Sequence, residues 1–249
     1  MDKNTENKGE RIAKVMARAG LCSRREAERW IGDGRVSVNG RTLDSAACVV
    51  TDKDEILVDK KPLPMKEKTR LFLYHKPAGL VTTNKDEQGR ETIFDKMPKD
   101  LPRVMTVGRL DINTEGLLLL TNDGELSRHL ELPANAFDRT YRVRVLGRVK
   151  QEKLDVLKKG IKWDGVKYGP IDAKLDDNYD ASQANNWIEI TLQEGKNREV
   201  RNVLEAINLQ VNRLIRVSYG PFHLGKLPKK AIMEVKSSML KSQLDEFFK

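Results

Sequence analysis

Residues 117–120 are four consecutive leucines, with Thr114-Glu115-Gly116 before them and Thr121-Asn122-Asp123-Gly124 after them. A short, wholly apolar run closed by turn residues reads as a strand covered on both faces. A strand covered on both sides obliges the chain to build layers around it. Apolar alternation marks further strands at 71–74, 104–110, 141–146, 187–192, 211–217 and 231–235. Helical spacing marks 125–132, 151–159, 197–208 and 238–248, and 176–186 reads as a polar loop. There is neither an internal repeat nor a regular strand–helix–strand rhythm. The expected class is therefore α+β, on a mostly antiparallel mixed sheet.

The first 68 residues have a different texture. Residues 1–9 read as a polar, disordered leader with no secretory signal, which makes a cytoplasmic protein the expectation. Ile12, Val15, Met16 and Ala19 make one stripe of a short helix, and Gly20 caps it. Ser23-Arg24-Arg25-Glu26 is a capping box opening a second helix, whose apolar side holds Ala27, Trp30 and Ile31. Residues 35–38 alternate as a strand and run into Asn39-Gly40, a strong hairpin signal, with another strand at 55–58. Residues 59–68, with two prolines and several lysines, read as a connector. Two domains are expected, 10–68 and 69–249.

Charge narrows the function classes. The chain has 46 Lys and Arg against 37 Asp and Glu, a net +9. That excess is clustered. Lys8–Arg41 holds nine basic and four acidic residues, and Glu194–Lys230 holds eight and three, so each stretch carries +5. Clustered Lys and Arg point to a polyanion. In the first stretch Arg18, Arg24, Arg25, Arg29, Arg35 and Arg41 flank the helix pair and strand, as a phosphate-binding face would require. Two cysteines and three scattered histidines supply neither a disulfide framework nor a zinc site. No phosphate-binding loop, dinucleotide fingerprint or membrane-length apolar run occurs.

Two polar segments interrupt the apolar elements of the second domain. In Val107–Gly116, Asp111 follows an expected strand end, and Arg109 shares its side if strand geometry persists. Spacing alone equally allows an Asp that caps its own loop. In Glu194–Arg201, Glu199 near a helix start suits the helix dipole, whereas Arg201 does not and calls for another partner.

The stretch RIAKVMARAGLCSRREAERWIGDGRVSVNGRTL resembles the RNA-binding domain of ribosomal protein S4 type. The stretches YHKPAGLVTT, VGRLDINTEGLLLLTNDGEL, RTYRVRV, EGKNREVRNVLEAI and VNRLIRVSYGPFHLG, in this order, resemble the pseudouridine synthases of the RsuA/RluB type. Together the two resemblances cover nearly the whole chain. They imply isomerisation of a uridine in ribosomal RNA, free or in a pre-ribosomal particle, with no cofactor and no metal; a monomer is the default expectation. They imply Asp111 as the catalytic aspartate, Tyr141 as the ring that stacks on the base and assists at carbon 5, and Arg201 as the ion-pair partner of Asp111. Leu214 would pack on the base, Arg109 would enter the RNA where the base has left, and Lys76, Lys196 and Arg198 would bind substrate. Arg139 stands where the family frequently has Lys, which keeps the charge. The motifs lean toward the large-subunit branch. The alternatives are a small-subunit target, or a non-catalytic RNA-binding assembly factor, which would be expected to have lost Asp111, Tyr141 or Arg201.

Overall fold

The computed structural model of the chain describes residues 9–65 and 67–249. The leader expected at residues 1–9 lies outside the described residues but for Gly9. The chain divides into two compact units, Met1–Thr69 and Arg70–Lys249.

In the first unit, helices Ile12–Arg18 and Arg24–Gly32 pack on a four-stranded sheet. The capping box forms: the Glu26 N–H donates to Ser23 Oγ at 3.1 Å, and the Ser23 N–H donates to the Glu26 carboxylate at 3.4 Å. Such a cap contributes about 1 kcal/mol. Ile12, Met16, Ala27 and Ile31 are buried with Val36, Ile56 and Val58. Strands Val36–Val38 and Arg41–Thr42 pair antiparallel across Asn39 (φ 49°) and Gly40 (φ 79°). Two left-handed residues in succession make the tight hairpin turn that the Asn-Gly pair predicts.

The second unit is built on a nine-stranded sheet. Its main order is Asp172–Leu175, Asn185–Leu192, Arg139–Leu146, Gln210–Tyr219, Thr114–Thr121, Leu71–Lys76, Ile232–Glu234. Pairing along this path is antiparallel except where Leu214–Arg216 runs parallel to Thr114–Gly116. The leucine run is covered on both faces, as its composition requires. Leu117 and Leu119 pack with Leu126, Leu130 and Tyr219, while Leu118 and Leu120 pack with Phe72, Tyr74 and Ile93. Each such leucine contributes roughly 1.5–3 kcal/mol relative to an exposed one. A further core gathers Val143, Ile188, Ile190, Val203 and Leu204 at the other end of the sheet.

Several boundaries differ from the sequence reading. The strand expected over 104–110 is Met105–Val107, because Gly108 turns the chain with φ 64°. Asp111 thus sits in a loop, and Arg109 shares no strand face with it. The helix expected over 197–208 is Glu199–Ala206. The terminal helix breaks at Leu244 into Ser237–Gln243 and Asp245–Phe248. A hairpin of Ile161–Trp163 and Val166–Tyr168, and the strand Asp172–Leu175, are additional. Among the described residues, no helix is long and apolar enough to cross a membrane.

Candidate active site

Asp111 lies in the loop between strands Met105–Val107 and Thr114–Thr121. Three neighbouring segments fix that loop through its backbone. The Gly79 N–H donates to the Ile112 carbonyl at 2.7 Å, and Thr82 Oγ1 donates to the Leu110 carbonyl at 2.8 Å. The third segment is the end of strand Leu71–Lys76, from which the Lys76 ammonium reaches beneath the loop. Its Nζ donates to the carbonyls of Thr114 (3.0 Å), Asp111 (3.1 Å), Pro77 (3.1 Å) and Ile112 (3.3 Å). Lys76 is 0% exposed. Burial pulls its pKa down from 10.5 to about 8, against the opposing pull of Asp111 and Glu115. The expectation that Lys76 binds substrate is therefore corrected: its ammonium is enclosed, and it positions the Asp111 loop.

Arg201 is corrected in the same sense. No ion pair with Asp111 forms. Instead Arg201 Nη2 donates to the Asn113 carbonyl at 3.2 Å and Nη1 to the Val211 carbonyl at 3.3 Å. Its Nε is buried without a partner. Burial lowers the Arg201 pKa, Arg198 adds to this, and Asp111 works against it. The cation beside the Asp111 carboxylate is Arg198, at 4.0 Å. The physical reason is the late helix start. Arg198 occupies the N-cap with φ 51°, ahead of the helix, while Arg201 is inside its first turn, bonded to backbone.

Strand register supplies the other wall. Tyr141 on Arg139–Leu146 pairs with Arg216 on Gln210–Tyr219, and Leu214 pairs with Val143. Paired residues, and residues two apart on one strand, share a face. Tyr141, Leu214 and Arg216 therefore present their side chains together. A cavity of about 410 Å³ opens here, lined by Arg109, Asp111, Tyr141, Lys196, Arg198 and Leu214. Six of the eight residues expected in the site thus meet in one space, and Lys76 and Arg201 support it from behind. Arg109 is exposed and Asp111 and Tyr141 are half-buried. Lys196 Nζ donates to the Glu194 carboxylate at 2.6 Å and to the Lys167 carbonyl at 2.8 Å.

Glu199, Arg139 and Arg216 also line the cavity and are not among the eight residues expected there. Burial pushes the Glu199 carboxyl up to about 7, helped by Glu194 and opposed by the Lys196 N–H that donates to it at 2.9 Å. The signal for Arg216 is its spacing of two from Leu214 within a strand. Just outside the cavity lining, Glu115 accepts from Arg213 at 2.7 Å and pairs with Lys229 at 2.6 Å. The Arg213 contact, above all, holds its carboxyl down at about 2. Among the described residues, no group of three or more His, Cys, Asp or Glu is placed to hold a metal ion.

In the first unit Arg24, Arg25, Arg29 and Arg41 are exposed. Arg29 makes a 3.4 Å contact with Glu26. Arg18 is paired with Glu10, and Arg35 is held by both oxygens of Asp59 and lies 4.5 Å from the Trp30 ring centre. The former four are the freer cations of that face.

A carboxylate, an aromatic ring, an apolar side chain and several cations around about 410 Å³ make a chamber suited to a nucleotide turned out of an RNA strand. Comparison with known proteins agrees. Residues 70–206 match the family described as RNA pseudouridylate synthase, and residues 10–56 match the S4 domain. The chain is 43% identical over 235 residues to an "uncharacterized RNA pseudouridine synthase" of Rickettsia felis, covering 93% of this chain and 99% of that protein. It is 42% identical over 228 residues to the ribosomal large subunit pseudouridine synthase B of Yersinia pestis, covering 89% of this chain and 71% of the relative. For the protein of that name from Salmonella typhi the values are 44%, 88% and 77%. A solved pseudouridylate synthase structure superposes with a TM-score of 0.66 at 26% identity, covering 94% of this chain and 99% of the other.

Proposed function

The chain belongs to the RNA pseudouridine synthase family, and on that premise we propose that it acts on one uridine of large-subunit ribosomal RNA. The reaction class is isomerisation: the bond from ribose C1′ to uracil N1 is replaced by a bond from C1′ to C5. The large-subunit target is supported by the likeness to the two large-subunit synthases B, which extends over 88–89% of this chain. The observation that carries the chemistry is the convergence of Asp111, Tyr141 and Leu214 on one cavity.

The S4 unit presents Arg24, Arg25, Arg29 and Arg41 to structured RNA, where charge neutralisation supplies affinity. The target base leaves its stack and enters the cavity. The Tyr141 ring stacks on it, an interaction of about 1–3 kcal/mol, and Leu214 packs against it. Arg109, exposed at the rim, fills the space the base vacates, and Lys196 and Arg198 hold phosphates. The Asp111 carboxylate either attacks C1′ or removes a proton from C2′. In both routes the C1′–N1 bond breaks with its electron pair going to N1. The base then turns and C5 bonds to C1′, displacing the Asp111 carboxylate from C1′ in the first route, while in the second Asp111 returns its proton to C2′; the C5 proton is lost, with Tyr141 assisting, as N1 gains one. Atoms and charge balance without a co-reactant.

Unmodified large- and small-subunit ribosomal RNAs, incubated with the protein and mapped chemically for pseudouridine, test this reading. Product at one site of the large-subunit RNA is expected. Product in the small-subunit RNA alone overturns the target, and none in either overturns the function. Asp111→Asn is expected to abolish product while RNA binding survives; retained turnover would remove Asp111 from its role.

A further inference from the structure

We propose that Arg216 is a further catalytic residue, whose guanidinium takes up the negative charge of the uracil ring while that ring is detached from the ribose. This rests on the isomerase reading and identifies the group that serves its intermediate.

Arg216 is 2% exposed and lines the cavity. Its Nε donates to the Leu117 carbonyl at 2.7 Å. Among the described residues its other donors have no partner, no carboxylate lies within 4.0 Å, and Nη2 is completely buried. Arg139, the other buried guanidinium of the lining, is different: it donates to the Phe137 and Gln193 carbonyls and to the Tyr219 hydroxyl. The two cations lie against the same ring, 4.6 and 5.0 Å from the Tyr219 centroid. Glu131 also lines the cavity, but its carboxylate accepts from Ser127. A buried cation with idle donors is costly unless an anion arrives to meet it.

The register indicates which anion. Arg216 is directly paired with Tyr141 and stands two residues from Leu214, so all three share a face. A base stacked on Tyr141 and packed on Leu214 has its edge beside Arg216. The phosphates of a flipped nucleotide remain at the mouth, where Arg109, Lys196 and Arg198 are exposed. The deep anion is therefore the base. Heterolysis of C1′–N1 leaves the pair on N1, shared with the ring carbonyl oxygens, and bonding of C5 to C1′ discharges it. The backbone beneath Arg216 is held close. A Cβ on Gly116 would stand 2.2 Å from the Arg216 carbonyl oxygen, so the donor is fixed before charge develops.

The test is single-turnover cleavage of N-linked uridine in the mapped target RNA, by wild-type, Arg216→Gln and Arg216→Lys full-length chains. Arg216→Gln is expected to slow the reaction by about 10²–10³-fold with RNA affinity unchanged, as for loss of one donor to developing charge. Arg216→Lys keeps the charge and is expected to recover part of the rate. With 5-fluorouridine at the target, fluorine stabilises the departing anion, so the deficit of both variants is expected to shrink about tenfold or more. Equal deficits on the two substrates, or a loss confined to RNA affinity, overturn the proposal. A melting curve shows whether the Gln variant folds, and the Lys variant on the two substrates decides the matter if it does not. Inactivity of the wild type on either RNA would instead count against the isomerase reading.

Discussion

Replacing Lys76 with methionine removes the ammonium that gathers the carbonyls of Pro77, Asp111, Ile112 and Thr114. Two terms oppose each other. Holding the cation there moves its pKa from 10.5 to about 8, a cost of about 3 kcal/mol that methionine abolishes. Against that, carbonyls lose a donor. Those of Asp111 and Ile112 keep the N–H groups of Thr114 and Gly79. Those of Pro77 and Thr114 carry the remaining loss, about 1–3 kcal/mol each. The terms nearly cancel, so Lys76→Met is expected to unfold within about 3 kcal/mol of the wild type. Activity does not share in the cancellation. The loop holding Asp111 loses its central tie, and a displacement of about 1 Å costs on the order of 10²-fold in rate.

Urea unfolding at neutral pH, paired with single-turnover conversion of the target RNA, separates the two effects. The pH dependence gives a second check. The folded chain holds this proton less tightly than the unfolded chain, so the cost is full below pH 8 and gone near 10.5. Wild-type stability is therefore expected to rise relative to the variant across that interval. Wild-type-like turnover by Lys76→Met, or a stability difference flat from pH 8 to 10.5, would refute the reasoning.

Glu115→Gln removes the acceptor shared by Arg213 and Lys229. Because the folded pKa is lowered from 4.5 to about 2, the stabilisation is present above pH 4.5 and lost as pH falls toward 2. Discounted for the half-exposed partners, it amounts to about 1–2 kcal/mol at neutral pH; acid-unfolding curves of variant and wild type are expected to converge near pH 2. Exchanging Arg24, Arg25 and Arg29 for glutamine is expected to weaken RNA binding and reduce the slope of log affinity against log salt by about 2–3. An unchanged slope in a filter-binding titration would make that face a mere solvated surface.

Local rules carried much of the fold. The leucine run, the Ser23–Glu26 box and the Asn39-Gly40 turn each act over a few residues, and each forms as its residues require. The Asp164-Gly165 pair carries the same hairpin signal, with φ 47° and 75°, and turns the additional hairpin of Ile161–Trp163 and Val166–Tyr168. The membership of the candidate site followed from motifs, but the duties of Lys76 and Arg201 did not. Whether a cation meets solvent or a cage of carbonyls is decided by strands distant in sequence. Asp111 and Arg201 are 90 positions apart, and only the folded helix start determines which of Arg198 and Arg201 faces the carboxylate.

The parallel pairing in the sheet of the second unit spans three residue pairs, Leu214–Arg216 against Thr114–Gly116. It is a seam between two antiparallel blocks. The acid, Asp111, is tied to the start of the Thr114–Thr121 strand on one side, and the face formed by Tyr141, Leu214 and Arg216 belongs to the other. The distance between Asp111 and the face of Tyr141, Leu214 and Arg216 is thus a property of the seam. A slip of two residues along it would shift one block by about 7 Å against the other, leaving both blocks intact and the chemistry out of reach. Gly116, where the strands approach too closely for any side chain, acts as the pin in that joint.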